Sequence, residues 1–283
     1  MSTQNRGLLI TSVGVFLMSF ESLLIKMANV SAFNVAFYFG LFMFASATVL
    51  FFLRDKKNVL THYKKHFKII ISSGFLMGLS NLFFILAIKN TTVANTVFIL
   101  SCAPLFGALI GFIFLGQKTP KRVFIATFFV LAGLFIIVGN DLDSARFLGN
   151  FYALLCVISF SSLFVVLGNY KETSRVACVG VGGLSVALLA FICSPIDILD
   201  GYALGILLLM GGLISPISRI LIGEGTKILL PAEIGLLTIL ETILAPIWVW
   251  IFLQEVPTAY TVVGGGVILL TLTINALYAN KNY

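Results

Sequence analysis

The sequence predicts an all-α integral membrane protein of ten transmembrane helices, arranged as two inverted five-helix repeats. Three observations carry that expectation. Apolar runs of membrane-spanning length recur along the chain, lysine and arginine gather in alternate loops, and the two halves show weak similarity in register.

Of 283 residues, 59% are hydrophobic and 10% charged, against roughly 25% charged in soluble domains. A soluble globule of this size could not hide so much apolar surface, so lipid must be the solvent for much of the chain. A hydrocarbon core about 30 Å thick asks for about 20 apolar residues at about 1.5 Å each. Ten runs fit: 7–27, 33–53, 68–88, 94–115, 121–139, 148–168, 175–193, 202–222, 232–253 and 258–278. The first reads as a retained span rather than a cleaved signal, because it continues to Met27, contains Glu21 and lacks a small-residue cleavage site.

The formal charge of +7 belongs to the loops rather than to a nucleic-acid surface. With ten spans, one side carries Arg6, Arg54, Lys56, Lys57, Lys64, Lys65, Lys68, Lys118, Lys121, Arg122, Lys171, Arg175, Lys227 and Lys281, which are fourteen basic residues. The other side carries three, Lys26, Lys89 and Arg146. The positive-inside rule then places both termini in the cytoplasm of a cell-membrane protein.

A shift of 138 residues lays Ala87-Ile88-Lys89 on Gly225-Thr226-Lys227, Ala94 on Ala232, Ile113-Phe114-Leu115 on Ile251-Phe252-Leu253, and Gln117 on Glu255. Near the start of each half, a shift of 140 lays Ser19-Phe20-Glu21-Ser22-Leu23 on Ser159-Phe160-Ser161-Ser162-Leu163. The expected repeats are 1–140 and 141–283. Each holds an odd number of spans, so the second inserts upside down relative to the first, as in many transporters.

Deep polar residues are the candidate functional groups, because an ionised side chain at mid-membrane costs about 2.5–3.5 kcal/mol on insertion scales. Glu21 lies about 21 Å into the first span. It shares a face with Thr11, Gly14, Met18 and Ser22 that is expected to look into an aqueous cavity. Lys26 reads as a snorkelling interface residue. Arg219 shares a face with Gly212, Ser215 and Gly223, on a span that Pro216 should bend. Its counterpart at the 138 shift is Asn81, on a face with Gly74 and Gly78; inverted repeats put the two in matching polar layers, one outer and one inner. Glu241 lies about 13 Å into the ninth span, and its expected partner is Arg219. That pair is either a fixed structural bridge or a switch broken by a solute carboxylate competing for the guanidinium.

The remaining chemistry points away from catalysis and metals. Cys102, Cys156, Cys178 and Cys193 fall in apolar runs without metal-ligand spacing, and read as small buried side chains. His62 and His66 lack the Glu of a His-Glu-x-x-His site and stand among lysines. No phosphate loop or catalytic constellation occurs, and neither cofactor nor metal is expected. Glu224, Glu233 and Glu255 read as solvated helix ends or caps. Trp248, Trp250 and Tyr260 read as belt or packing residues. Gly107-x-x-x-Gly111, Gly211-Gly212 and Gly264-Gly265-Gly266 allow close helix contact within one copy or, as a homodimer, between two.

The passage from Ala87 through Thr96, then Ala103-Pro104-Leu105-Phe106 and Phe114-Leu115-Gly116-Gln117, resembles the EamA family of the drug/metabolite transporter superfamily. In the second half Leu240-Glu241-Thr242 and Phe252-Leu253-Gln254-Glu255 resemble the matching segment. Gln117 stands where that family usually has Glu, and Thr242 where it usually has Pro. The resemblance implies a ten-helix carrier of small polar metabolites that holds its solute in a central cavity. Glu21, Asn81, Arg219 and Glu241 are then the expected substrate- or proton-binding residues. Its partners are a small-molecule solute and the bilayer, with an uncoupled facilitator or channel-like permease as the alternative.

Overall fold

The structure is a computed structural model that describes residues 3–54, 59–116, 121–139, 144–170, 172–229 and 231–280. Among these residues there is no strand. Helices α1 (Thr3–Met18), α2 (Glu21–Met27), α3 (Ala32–Arg54), α4 (Val59–Asn90), α5 (Val93–Leu100), α6 (Ala103–Leu115) and α7 (Lys121–Gly139) make the first half. Helices α8 (Ser144–Asn169), α9 (Arg175–Cys193), α10 (Gly201–Leu208), α11 (Ser215–Gly225), α12 (Pro231–Leu253) and α13 (Ala259–Asn280) make the second, with a π-helical turn at Leu209–Ile214 joining α10 to α11.

Helix is present in each of the ten apolar runs. Among the described residues, seven stretches are long and apolar enough to cross a membrane: Gln4–Met27, Ala32–Leu53, His66–Asn90, Val93–Phe114, Arg146–Asn169, Arg175–Cys193 and Gly201–Gly225. Val123–Val138, Leu237–Leu253 and Ala259–Asn275 are shorter apolar helices. Phenylalanines such as Phe114, Phe128 and Phe135 point outward, as expected where the surrounding solvent is hydrocarbon.

Three runs expected to be continuous are interrupted, each by a recognisable local cause. Between α1 and α2 the Ser19 hydroxyl donates to the Phe16 carbonyl at 2.7 Å, a local bond that competes with the helical ladder. Between α5 and α6 the Ser101 hydroxyl donates in the same way to the Phe98 carbonyl at 2.6 Å. Pro104, which has no N–H to give, sits in the first turn of α6. In the eighth run Pro216 sits in the first turn of α11, and a π turn widens the backbone just ahead of it. Helix α4 also starts before its expected apolar run, at Val59, with non-helical dihedrals at His66.

Helix packing pairs the two halves. Helix α3 lies along α9, α7 along α13, α4 along α8 and α9, and α1 along α11. Glycines set the closest approaches. A Cβ on Gly40 would stand 2.6 Å from the Gly183 carbonyl oxygen, and one on Gly183 would stand 2.7 Å from that of Gly40. Gly133 and Gly264 oppose each other across α7 and α13 in the same reciprocal way, at 2.9 and 2.7 Å. Backbone meets backbone at both seams, so no side-chain rotation can make room.

Gly183→Ala should therefore lower the thermal unfolding midpoint in detergent, by an overpacking cost of about 1–3 kcal/mol. Gly107→Ala, where a Cβ meets nothing within 4 Å, should leave the midpoint unchanged or raise it slightly. Equal midpoints for the two variants would show that the α3–α9 seam is not packed this closely.

Candidate functional site

The breaks in the first and eighth runs bring charged groups together deep inside the bundle. Glu21 opens α2 directly after the Ser19–Phe20 interruption. Ser215 opens α11 directly after the π turn, and Arg219 follows one helical turn later on the same face. Glu21 accepts from the Ser215 hydroxyl at 2.7 Å through Oε1. The Arg219 guanidinium clasps the same carboxylate with both terminal nitrogens, Nη1 on Oε1 and Nη2 on Oε2, the latter at 3.1 Å. This two-pronged geometry is what a planar guanidinium offers a carboxylate and an ammonium cannot.

Asn81, on α4, completes the cluster: its Oδ1 accepts from Arg219 Nη2 at 2.8 Å. The Arg219 guanidinium also lies 5.9 Å from the centre of the Phe39 ring, a cation–π contact. The cluster is closed off. Glu21, Asn81 and Ser215 are buried, and the Arg219 side chain keeps 14% exposure. One donor is left over. Among the described residues, buried Asn81 Nδ2 meets no partner, an expensive omission for an amide.

Glu241 is placed differently. It is half-buried on α12, within electrostatic range of both Glu21 and Arg219, yet no hydrogen bond or ion pair to its carboxylate occurs among the described residues. The expected Arg219–Glu241 bridge is thus replaced by Arg219–Glu21. Neighbours in sequence are not neighbours in space. Helix α12 packs on α1, α2, α5 and α13, while α11 is drawn against α1. A Cβ on Gly14 would stand 2.9 Å from the Ser218 carbonyl oxygen, and one on Gly225 would overlap the Thr11 hydroxyl.

The same packing corrects two further expectations. The face holding Thr11, Gly14, Met18, Ser22 and Glu21 is buried against α11 rather than lining an open cavity. Asn81 and Arg219 do not form separate outer and inner layers, because they touch.

Residues 5–139 match the family model described as the EamA-like transporter family. The first half of the chain is thus similar to the EamA-like transporter family. A solved crystal structure is similar over 98% of this chain and 99% of its own length, with a TM-score of 0.71 and 17% identity, which extends the shared fold across both halves. No curated protein matches. With its run of membrane-spanning apolar helices, the chain is a multi-pass membrane protein whose first half matches a transporter-family model.

Other residues of this EamA-like chain fall into place around the cluster. Trp248 stacks on Phe20 with ring centres 4.8 Å apart and donates to the Ser19 hydroxyl at 3.0 Å. It therefore braces the break that presents Glu21, a packing role. Trp250 and Tyr260 are exposed. Glu224 pairs with Lys227 at 3.0 Å near the end of α11. Lys26, expected to snorkel, instead pairs with Glu255 at 3.1 Å, and Glu255 also caps α5 by accepting from the Val93 N–H at 2.7 Å. Cys102, Cys156 and Cys178 are buried as expected, whereas Cys193 at the end of α9 is exposed. Gln117 and the side chains of Glu233 and His62 lie outside the described residues.

A network of neutral groups was not anticipated. The Thr91 hydroxyl donates to Asn150 Oδ1 at 3.1 Å, and the Thr261 hydroxyl donates to Asn95 Oδ1 at 2.7 Å. This ties α5, α8 and α13 together through buried amides. The hint available in sequence was the run Asn90-Thr91-Thr92-Val93-Ala94-Asn95-Thr96, dense in hydrogen-bonding side chains between apolar stretches.

Removing one member of the clasped pair leaves the other as an uncompensated buried charge. Arg219→Leu and Glu21→Leu should each destabilise the folded protein by about 3–5 kcal/mol, and the double Leu variant should cost less than either single. Thermal melts of the three variants in one detergent check this; additive losses would mean that the two side chains act independently.

Proposed function

We propose that this protein is a carrier that moves small polar metabolites across the cell membrane by alternating access. Two inverted five-helix repeats, 1–140 and 141–283, would rock about a polar centre formed by Glu21, Asn81, Arg219 and Glu241, with both termini in the cytoplasm. The observation that carries this reading is the clasp itself. A bidentate ion pair joins α2 of one half to α11 of the other, and α4 joins it through Asn81.

Three features support the inverted arrangement of ten spans. Under the repeat relation the packing of α1 on α11 exchanges with that of α8 on α4, while α3 on α9 and α7 on α13 map onto themselves. Asn81 and Arg219 are 138 residues apart, the same interval that aligns the halves, and they are bonded to each other. Discontinuous helices are the usual building blocks of carrier sites, and the Glu21 end of α2 and the Ser215 end of α11 both follow interruptions.

The chemistry suits amino-acid-like or other small organic solutes that carry a carboxylate. Such a group can compete with Glu21 for Arg219 and accept from the idle Asn81 Nδ2. A cationic group on the same solute, or a proton, can be taken by Glu241, whose carboxylate is not engaged. Opening the clasp for solute and closing it afterwards would link binding to the relative movement of the halves, because the paired groups sit on opposite halves. The movement of one charge through a membrane potential supplies about 2.3 kcal/mol per 100 mV, enough to drive a coupled cycle.

Comparison of metabolite pools in cells with and without the protein identifies the solute, and reconstituted vesicles then test the cycle. Saturable uptake and counterflow are expected, both lost in Arg219→Ala. Glu241→Gln should keep counterflow at equal pH but lose the response to an imposed pH gradient, with an unchanged melting temperature because Glu241 makes no ion pair. A pH response that persists in Glu241→Gln would remove that residue from coupling and leave an uncoupled facilitator. Flux that neither saturates nor shows counterflow would identify a channel instead.

A further inference from the structure

We infer that the Lys26–Glu255 ion pair is a gate closing one end of the pathway, and that the repeat-related positions at the opposite end carry no matching charges. The inference rests on the carrier reading above and gives that carrier a preferred resting orientation. Lys26 lies in the last turn of α2 and Glu255 just beyond α12, so the pair, 3.1 Å apart, joins the two halves. Glu255 grips the first half twice. Its Oε2 takes Lys26, and its Oε1 takes the backbone N–H of Val93, the first residue of α5. Lys26 also donates to the Thr91 carbonyl at 3.3 Å. Lys89 stands within electrostatic range of Lys26.

The backbone is shaped to hold this contact. Gln254, immediately before Glu255, is in the left-handed region at φ 56°, and Asn29, shortly after Lys26, is there at φ 47°. A side chain such as glutamine adopts that conformation at a cost, and here it turns the chain at the end of α12 so that Glu255 comes back over α5. Glu255 also stands beside a narrow cleft lined by Val93, Ala94, Pro246, Val249 and Pro257, closed to water-sized molecules in this form. The gate and the central clasp share α2: Lys26 is five residues, about 8 Å of helix, beyond Glu21. Movement of that short helix would disturb both contacts together.

Both side chains of the pair remain about a quarter exposed, 24% and 25%, so solvent reaches them and can compete. At the other end the repeat offers nothing comparable. The shift of 140 carries Lys26 to Val166, and the shift of 138 carries Glu255 back to Gln117. At these two related positions, closure of that end would bring no opposite charges together. The form closed at the Lys26–Glu255 end therefore holds an attraction that its mirror form lacks, and it is the favoured resting state.

Labelling with a membrane-impermeant thiol reagent tests the gate without reference to any solute. Ala94→Cys, in a Cys193→Ala background that removes the exposed native thiol, reports access to the cleft in intact cells. Glu255→Gln keeps an acceptor for the Val93 N–H but removes the charge. It should raise the labelling rate roughly threefold to fivefold, the range expected for a partly exposed pair. Lys26→Met should do the same, and the double variant should add little to either. High salt should speed labelling when the pair is intact and have no effect once Glu255 is neutral. Rates that stay the same in both single variants, or effects that add in the double variant, overturn the gate whether or not solute moves. Altered labelling without saturable flux would leave the gate standing and overturn the carrier reading.

Discussion

A charged side chain inside a bilayer needs a partner, and in this chain the partner comes from the other half of the molecule. Glu21 and Arg219 are 198 positions apart and clasp each other in a setting that excludes most water. The desolvation cost of either charge alone exceeds what an ordinary helix–helix contact returns. Whatever else the bundle does, it must keep α2 and α11 in register, or supply other groups to both ions. This constraint explains why the helices that present them are interrupted where they are. The Ser19–Phe20 break and the π turn before Ser215 set the two ends at one depth, and Trp248 holds the first break in place through its stack on Phe20.

The clasp is lopsided in a way that the repeat makes visible. Arg219 corresponds to Asn81, and Glu21 corresponds to Ser161. One pair of related positions holds both charges, and the other holds an amide and a hydroxyl. Asn81 still joins the charged pair, whereas the Ser161 hydroxyl donates to the Ala103 carbonyl at 2.9 Å, beside the α5–α6 break. Under the proposed repeat relation the halves divide the work: one set of positions binds charge, and its counterpart satisfies backbone. The ion pair at Lys26 and Glu255 follows the same rule, facing Val166 and Gln117 across the repeat relation. The carrier proposed above would then have dissimilar energies at its two ends.

Much of this was legible in the residues. Apolar run length gave the helix positions, and the isolated deep charges marked Glu21 and Arg219 before any neighbour was known. The glycines of α3, α7, α9 and α13 lie where helices cross. The sequence was poorer on partners. Counting residues yields depth along an axis but says little about which helices adjoin, so Arg219 was matched to Glu241 on the next helix rather than to Glu21 on a distant one. Thr11, Gly14 and Met18 look like a cavity face because small and polar residues line both cavities and tight helix contacts. Here the contact with α11 takes them. The breaks at Ser19 and Ser101 depend on a serine folding back onto its own helix, and serine does so only at some of the places where it occurs in apolar helices.

The central claim is that Glu21 and Arg219 form a through-space ion pair within the bilayer-embedded bundle. Solid-state NMR on protein in lipid bilayers, with the Glu carboxylate carbon and the Arg guanidinium nitrogens isotopically labelled, measures it directly. The account predicts a carbon–nitrogen dipolar contact that disappears in both Glu21→Gln and Arg219→Lys. Absence of that contact, or its survival in Glu21→Gln, would contradict it.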